Sequence, residues 1–267
     1  MDKIAIDLGF ITIYWYSIMV MLGAIIAFYL IKKESIKKEI NQDFITNLIF
    51  YTFIFGIIGA RIYYVIFNFD YFSNNVSEIF QIWNGGLAIH GGIIVGFITC
   101  AIYCKKYKVN ILKILDMVAP ALIIAQAIGR WGNFFNQEAY GQSTTLSHLQ
   151  NLHIPDFIIK GMYINEVYYQ PTFLYESIWN LLGFIILILV RAINKKLKTG
   201  QLAGIYLMWY SIGRFIIEHF RSDSLMLGTF KIAQIVSILM FIIGFILVFI
   251  ISKNKPLYKE KEPEIRC

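Results

Sequence analysis

Residues 10–33 read FITIYWYSIMVMLGAIIAFYLIKK. No charged side chain occurs from Phe10 to Ile31, and two lysines follow at once. An uncharged apolar run of about 20 residues is what one helical crossing of a bilayer needs. The pattern recurs, and spans are predicted at 10–31, 44–67, 85–104, 112–130, 172–192, 201–220 and 231–251. Composition agrees: 58% of the 267 residues are hydrophobic and 15% charged, where soluble domains carry roughly 25% charged residues. Mean hydropathy is +0.61. Disordered, collagen-like and disulfide-scaffold classes are excluded, and a water-soluble enzyme could not hide this much apolar surface. The expected fold is all-α, a polytopic integral membrane protein with seven transmembrane helices, built as one domain over 1–267. Asp2 and Asp7 precede the first span without a basic region, so that span reads as a retained helix and not a cleaved signal peptide. Cys100, Cys104 and Cys267 read as free thiols.

The net charge of +7 is an orientation signal. Lys32, Lys33, Lys37 and Lys38 follow span one; Lys105, Lys106, Lys108 and Lys113 follow span three. Arg191, Lys195, Lys196 and Lys198 follow span five, and Lys253, Lys255, Lys259, Lys261 and Arg266 fill the tail. The opposite side has only Lys3, Lys160, Arg221 and Lys231. The positive-inside rule places the crowded side in the cytoplasm, so the N-terminus is expected outside and the C-terminus inside. No nucleic-acid surface is expected.

Arg61, Arg130 and Arg214 remain, all within spans. A charge at membrane depth costs about 2.5–3.5 kcal/mol on the insertion scale, which makes each a candidate for function. With this orientation all three fall in the outer half, as do Tyr16, His90 and Glu176. Glu218 lies one turn from Arg214 on the same helix face. Together they outline one outward-facing cavity. For Arg61, snorkelling to the interface is as good a reading as function. Arg214 with Glu218 could be a structural ion pair, although buried pairs seldom add net stability. Asp116 lies near the inner end of span four and reads as a helix anchor.

Three segments carry chemistry. In Gly129-Arg130-Trp131-Gly132-Asn133-Phe134-Phe135-Asn136-Gln137-Glu138, a guanidinium fork and an amide three residues apart suit a phosphodiester. In Trp83-Asn84-Gly85-Gly86-Leu87-Ala88-Ile89-His90-Gly91-Gly92, a histidine among glycines can serve as a general base. Gly213-Arg214-Phe215-Ile216-Ile217-Glu218-His219-Phe220-Arg221 suits an anionic lipid headgroup. No G-x-S-x-G, H-E-x-x-H or Walker A sequence is present, which disfavours serine and zinc membrane proteases and nucleotide hydrolases. A transporter or lipid flippase with a cationic cavity stays open as an alternative, since buried arginines and acids also mark anion pathways. It would need polar groups reaching the midplane or both halves.

These segments resemble the prolipoprotein diacylglyceryl transferase family. The matching pieces are Trp15-Tyr16, Gly59-Ala60-Arg61, Asn84-Gly85-Gly86 through His90-Gly91-Gly92, Gly129-Arg130 through Glu138, Gln170-Pro171-Thr172 through Glu176, and Arg214-Phe215 through Glu218. They cover nearly the whole chain in order, and the seven-span, N-out topology is also the family's. Gln170 departs from the histidine the family often shows.

The resemblance implies a bacterial cytoplasmic-membrane enzyme with its site opening in the outer half. Its substrates would be phosphatidylglycerol and the signal peptide of a prolipoprotein bearing a lipobox cysteine. The diacylglyceryl group moves to the cysteine thiol, a thioether forms and glycerol-1-phosphate leaves, with no metal or organic cofactor. His90 is the implied base, and Arg130 and Arg214 the implied phosphate ligands. Asn133 and Tyr16 would orient the headgroup, and Glu138 and Glu218 would hold the arginines. Arg61 and Gly141 complete the implied substrate-binding set. Residues 131–171 exceed the roughly 12–15 beyond which a structureless loop is unusual, and are expected to form a folded outer cap. The topology predicts that an impermeant thiol reagent applied to intact cells labels a cysteine at position 3 and not one at position 260; the reverse pattern would overturn it.

Overall fold

The computed structural model describes residues 2–9, 12–221 and 224–260. Phe10, the expected start of span one, lies outside the described residues, as do Lys261, Arg266 and Cys267 of the tail. A hairpin of β1 (Ile4–Asp7) and β2 (Thr12–Tyr14) leads into α1 (Trp15–Lys37). Then come α2 (Gln42–Phe67), α3 (Phe69–Asn74), α4 (Ile89–Lys106) and α5 (Ile111–Asn136). β3 (Ser143–Thr144), α6 (Leu146–Asn151), α7 (Asp156–Gly161), β4 (Tyr163–Ile164) and β5 (Val167–Tyr169) follow. The chain continues through α8 (Thr172–Ile193), α9 (Gln201–Phe220), β6 (Met226–Leu227), β7 (Phe230–Lys231) and α10 (Ile232–Ile246).

A helix stands at each predicted span. Six of the described helices are long and apolar enough to cross a membrane. α9 is not among the six; its 20 residues include Gln201, Arg214, Glu218 and His219. Boundaries differ from expectation where local chemistry overrides hydropathy. Span one begins as strand, because Thr12 and Ile13 pair with Asp7 and Ile6, and β-branched side chains favour extended backbone. α4 starts at Ile89 and not at residue 85, since Gly85 and Gly86 adopt positive φ of 88° and 73°. α5 continues past residue 130 to Asn136, which keeps Arg130 and Asn133 on one helical face.

The described chain divides into two compact units. One holds the residues up to Ile31 together with Leu112–Glu260, the other Lys32–Ile111. In the second, α2 and α4 meet through small residues: a Cβ on Gly59 would stand 2.8 Å from the carbonyl oxygen of Gly91. Such close helix contact replaces the hydrophobic driving force that lipid does not provide. The Asn41 side chain caps α2 by accepting from the Asp43 and Phe44 amides at 2.8 and 3.1 Å. Cys100 and Cys104, on α4, are in no disulfide.

In the first unit α9 and α10 approach where a Cβ on Gly204 would lie 2.8 Å from the Gly244 carbonyl. α8 and α9 are tied by Trp179 and Trp209, whose indoles stack at 4.4 Å and donate to each other's backbone carbonyl at 3.0 Å. Asp116 is fully buried and accepts from the Gly200 and Ala203 amides at 2.6 and 2.8 Å, so it caps α9, the anchoring role its sequence position suggested. Residues 131–171 are folded: α6 and α7 come between the first and second strands of a three-stranded sheet of order β3-β5-β4. Leu149, Ile154, Ile158, Ile159 and Met162 bury against Phe134 of α5 and Phe173 of α8.

Candidate functional site

The site grows from one carboxylate. Glu176, in the second turn of α8, directs Oε2 to Nη2 of Arg130 at 2.5 Å and Oε1 to Nη1 of Arg214 at 3.1 Å. Arg214 uses its other terminal nitrogen on Glu218 Oε2 at 2.7 Å, one turn along α9. Arg130 Nη1 donates to Asn133 Oδ1 at 3.4 Å, and Asn133 Nδ2 donates to Glu138 Oε1 at 2.8 Å. Three helices thus converge on two guanidinia. The carboxylates lie deep, with 6% and 3% of the Glu176 and Glu218 side chains exposed, while the arginines keep 20% and 18%. A ligand approaching from the open side meets cations first.

Packing next to these residues explains their aim. Trp131 Nε1 donates to Ser177 Oγ at 3.2 Å, and Ser177 Oγ donates to the Ala127 carbonyl at 2.9 Å, which ties α5 to α8 beside Glu176. The tryptophan pair does the same for α8 and α9. Lys231 caps the end of α9, donating to the carbonyls of Glu218, His219 and Arg221 at 2.6–3.2 Å. After α5 the chain reverses through Gln137 and Ala139, both at positive φ, which brings Glu138 back to Asn133. Gly141 lies between the start of α8 and the end of α9: its amide donates to Gln170, Gln142 donates to Phe220, and a Cβ would fall 2.9 Å from the Gln170 side chain. Its place is a close backbone crossing. Tyr16 rests on α5 where Gly132 leaves room for its ring. An open pocket of about 310 Å³ is lined by Tyr16 and Glu138 with Lys3, Tyr14, Ser17 and Asn136.

Arg61 and His90 belong to the other unit. His90 is the second residue of α4, its ring 6.2 Å from that of Tyr63. Arg61 is 8% exposed and donates to four backbone carbonyls. Glu138 was expected to hold an arginine; it reaches Asn133, and Glu176 holds both arginines. The sequence marks Glu176 as an acid within a span but does not show that it joins the two arginines. An acid at membrane depth was the available signal.

The chain matches the family model for prolipoprotein diacylglyceryl transferase over residues 3–250. It belongs to that family. Proteins of Listeria innocua serovar 6a and Staphylococcus aureus strain Newman, each named phosphatidylglycerol–prolipoprotein diacylglyceryl transferase, are 47% and 48% identical to it over 262 residues. Those alignments cover 97% of this chain and 94% and 93% of the relatives. Arg130, Glu176 and Arg214 all lie within the matched residues.

Glu176 and Glu138 should differ in consequence. Glu176→Gln leaves two guanidinia without their shared counter-charge, and thermal unfolding in detergent should show a loss of about 2–3 kcal/mol, below the 3–5 of a fully buried pair because the arginines are partly exposed. Glu138→Gln can still accept from Asn133 and should lose under about 1 kcal/mol. Equal effects would contradict the geometry.

Proposed function

We propose that the chain transfers the diacylglyceryl group of phosphatidylglycerol to the cysteine thiol of a prolipoprotein, the reaction in its relatives' names. The observation that carries the reading is the Glu176-bridged pair of Arg130 and Arg214 in a chain of this family. The thiol gives its proton to His90. The sulfur then attacks the methylene carbon of the lipid's glycerol that bears the phosphate. A carbon–sulfur bond forms, the carbon–oxygen bond to phosphate breaks, and glycerol-1-phosphate departs with the bonding pair. Arg130 and Arg214 face the phosphate oxygens, where planar forks stabilise the charge that develops on the leaving group. Tyr16 and Asn133 orient the headgroup beside the pocket that Glu138 lines, and Gly141 gives the backbone its passage there. The clustering of the first unit's buried charges supports transfer chemistry over a transport path, which needs polar groups spread through the membrane.

The setting belongs to the same proposal. Both units form one domain of seven spans in the bacterial cytoplasmic membrane, with the N-terminus outside and the C-terminus inside. The site opens in the outer half under the folded 131–171 segment, where a secreted precursor's lipobox cysteine and the lipid headgroup share one depth. The chemistry calls for no cofactor.

An assay with phosphatidylglycerol and a lipobox peptide tests the reaction, a mass gain of one diacylglyceryl group on cysteine being expected. Transport without modification would support the transporter instead. In that assay Arg130→Lys and Arg214→Lys keep the charge but lose the fork, and each should lower turnover about 10²-fold, the loss typical of one oxyanion donor. Near-normal turnover in the double substitution would remove the phosphate clamp. His90→Asn should lower turnover about 10²–10⁴-fold, the range of one general base. The deficit should shrink as pH rises toward the thiol's own pKa of about 8.5, where thiolate forms unaided. A wild-type-to-mutant ratio that stays flat between about pH 6.5 and 9, on either side of that pKa, would rule out the base.

A further inference from the structure

Arg61 donates to four backbone carbonyls of the segment that leads into α4. Nε reaches Ile79 at 2.8 Å, Nη2 reaches Glu78 at 2.5 Å, and Nη1 reaches Gly85 and Gly86 at 2.8 and 2.9 Å. Its guanidinium carbon lies 5.2 Å from the centre of the Phe72 ring and 5.8 Å from that of Tyr64. The neighbours of Arg61 on α2 engage the same stretch. The Ala88 amide donates to the Ala60 carbonyl at 3.0 Å, and the Tyr63 ring faces His90. Gly86, at φ +73°, has no room for a side chain: a Cβ would stand 2.5 Å from Arg61 Nη1 and 2.7 Å from Tyr64.

From this geometry we infer that Arg61 is a positioning residue for His90 and not a ligand of the lipid. A guanidinium has five N–H donors in one plane, and here the fork is turned onto the carbonyls of Glu78 and Ile79 and, through Gly85 and Gly86, onto carbonyls just before α4 begins. Holding those carbonyls fixes the path of residues 78–88, and so fixes where the first turn of α4 presents its imidazole. A lysine ammonium is a point donor and cannot span four carbonyls. The inference reinterprets Arg61, which the family resemblance had put among the substrate-binding residues. It rests on the reading of His90 as proton acceptor, and its test separates the two.

The experiment uses the full-length enzyme in detergent with phosphatidylglycerol micelles and a lipobox peptide. Arg61→Lys should lower kcat by about 10-fold or more, short of the 10² that a 1 Å misplacement can cause, with KM for the lipid changed less than about twofold. Under single-turnover conditions Arg61→Lys/His90→Asn should fall within about threefold of His90→Asn alone, since residues acting through one group are not additive. Hydrogen exchange of peptides covering residues 79–92 should quicken in Arg61→Lys. Gly86→Ala, which keeps the arginine but displaces its guanidinium from the loop, should copy all three effects and covers the case in which Arg61→Lys does not accumulate in membranes. Multiplied losses in the double variant, or a raised KM at unchanged kcat, would make Arg61 a lipid ligand and overturn the proposal. Unchanged exchange would overturn it whatever His90 does. Quickened exchange beside a near-normal His90→Asn rate would sink the proton-acceptor reading and leave the loop clamp standing.

Discussion

One carboxylate shared by two arginines is the constraint around which the first unit is arranged. Arg130 and Arg214 come from α5 and α9, and α8 supplies the Glu176 that each grips by one oxygen. Two guanidinia drawn this close would repel each other without it, and water at membrane depth is scarce to screen them. Glu218 adds a second negative charge beneath Arg214. With charges balanced, the pair can stand in an apolar setting before any ligand arrives. The same balance dictates the framework: three helices must hold register to within the reach of a hydrogen bond. The Trp131–Ser177 bond, the Trp179–Trp209 stack and the Lys231 cap each tie two of those elements together close to the charges.

Register in turn depends on both ends of α9. At one end Asp116 accepts from the first amides of the helix, and at the other Lys231 donates to its last carbonyls. Both caps use charged side chains from other parts of the chain, so the helix that carries Arg214 and Glu218 cannot slide without breaking a buried charge-assisted bond. α9 is also the predicted span that falls outside the six described helices long and apolar enough to cross a membrane. A helix with this much polar cargo gains little from lipid alone, and fixed caps supply what hydropathy does not.

The helical frame was legible in the sequence, because apolar length is a one-dimensional signal. The pairing of Arg214 with Glu218 was legible for the same reason, being a four-residue step on a helix. Contacts between distant segments were not. Nothing in spacing says that Glu176, 46 positions after Arg130 and 38 before Arg214 in the numbering, sits between them. Nor does spacing say that Arg61 spends its donors on carbonyls 17 to 25 residues away. The hairpin at residues 4–14 was hidden for another reason: its Ile, Thr and Tyr side chains suit a strand and a membrane helix equally, and only the partner strand decides.

The three membrane arginines therefore divide by partner. Arg130 pairs with the Glu176 carboxylate, Arg214 with those of Glu176 and Glu218, and both arginines remain about a fifth exposed. Arg61 pairs with carbonyl dipoles on nearly all sides of its plane and is buried. A guanidinium whose fork is filled by backbone has no edge left for a phosphate, however favourable its charge. One held from its buried side by carboxylates keeps part of its surface open, as the exposed fifth of Arg130 and Arg214 shows. At sequence level each of the three is the same event, a cation where lipid forbids one. The partner, and not the depth, separates an arginine that can take hold of a ligand from one that takes hold of the chain.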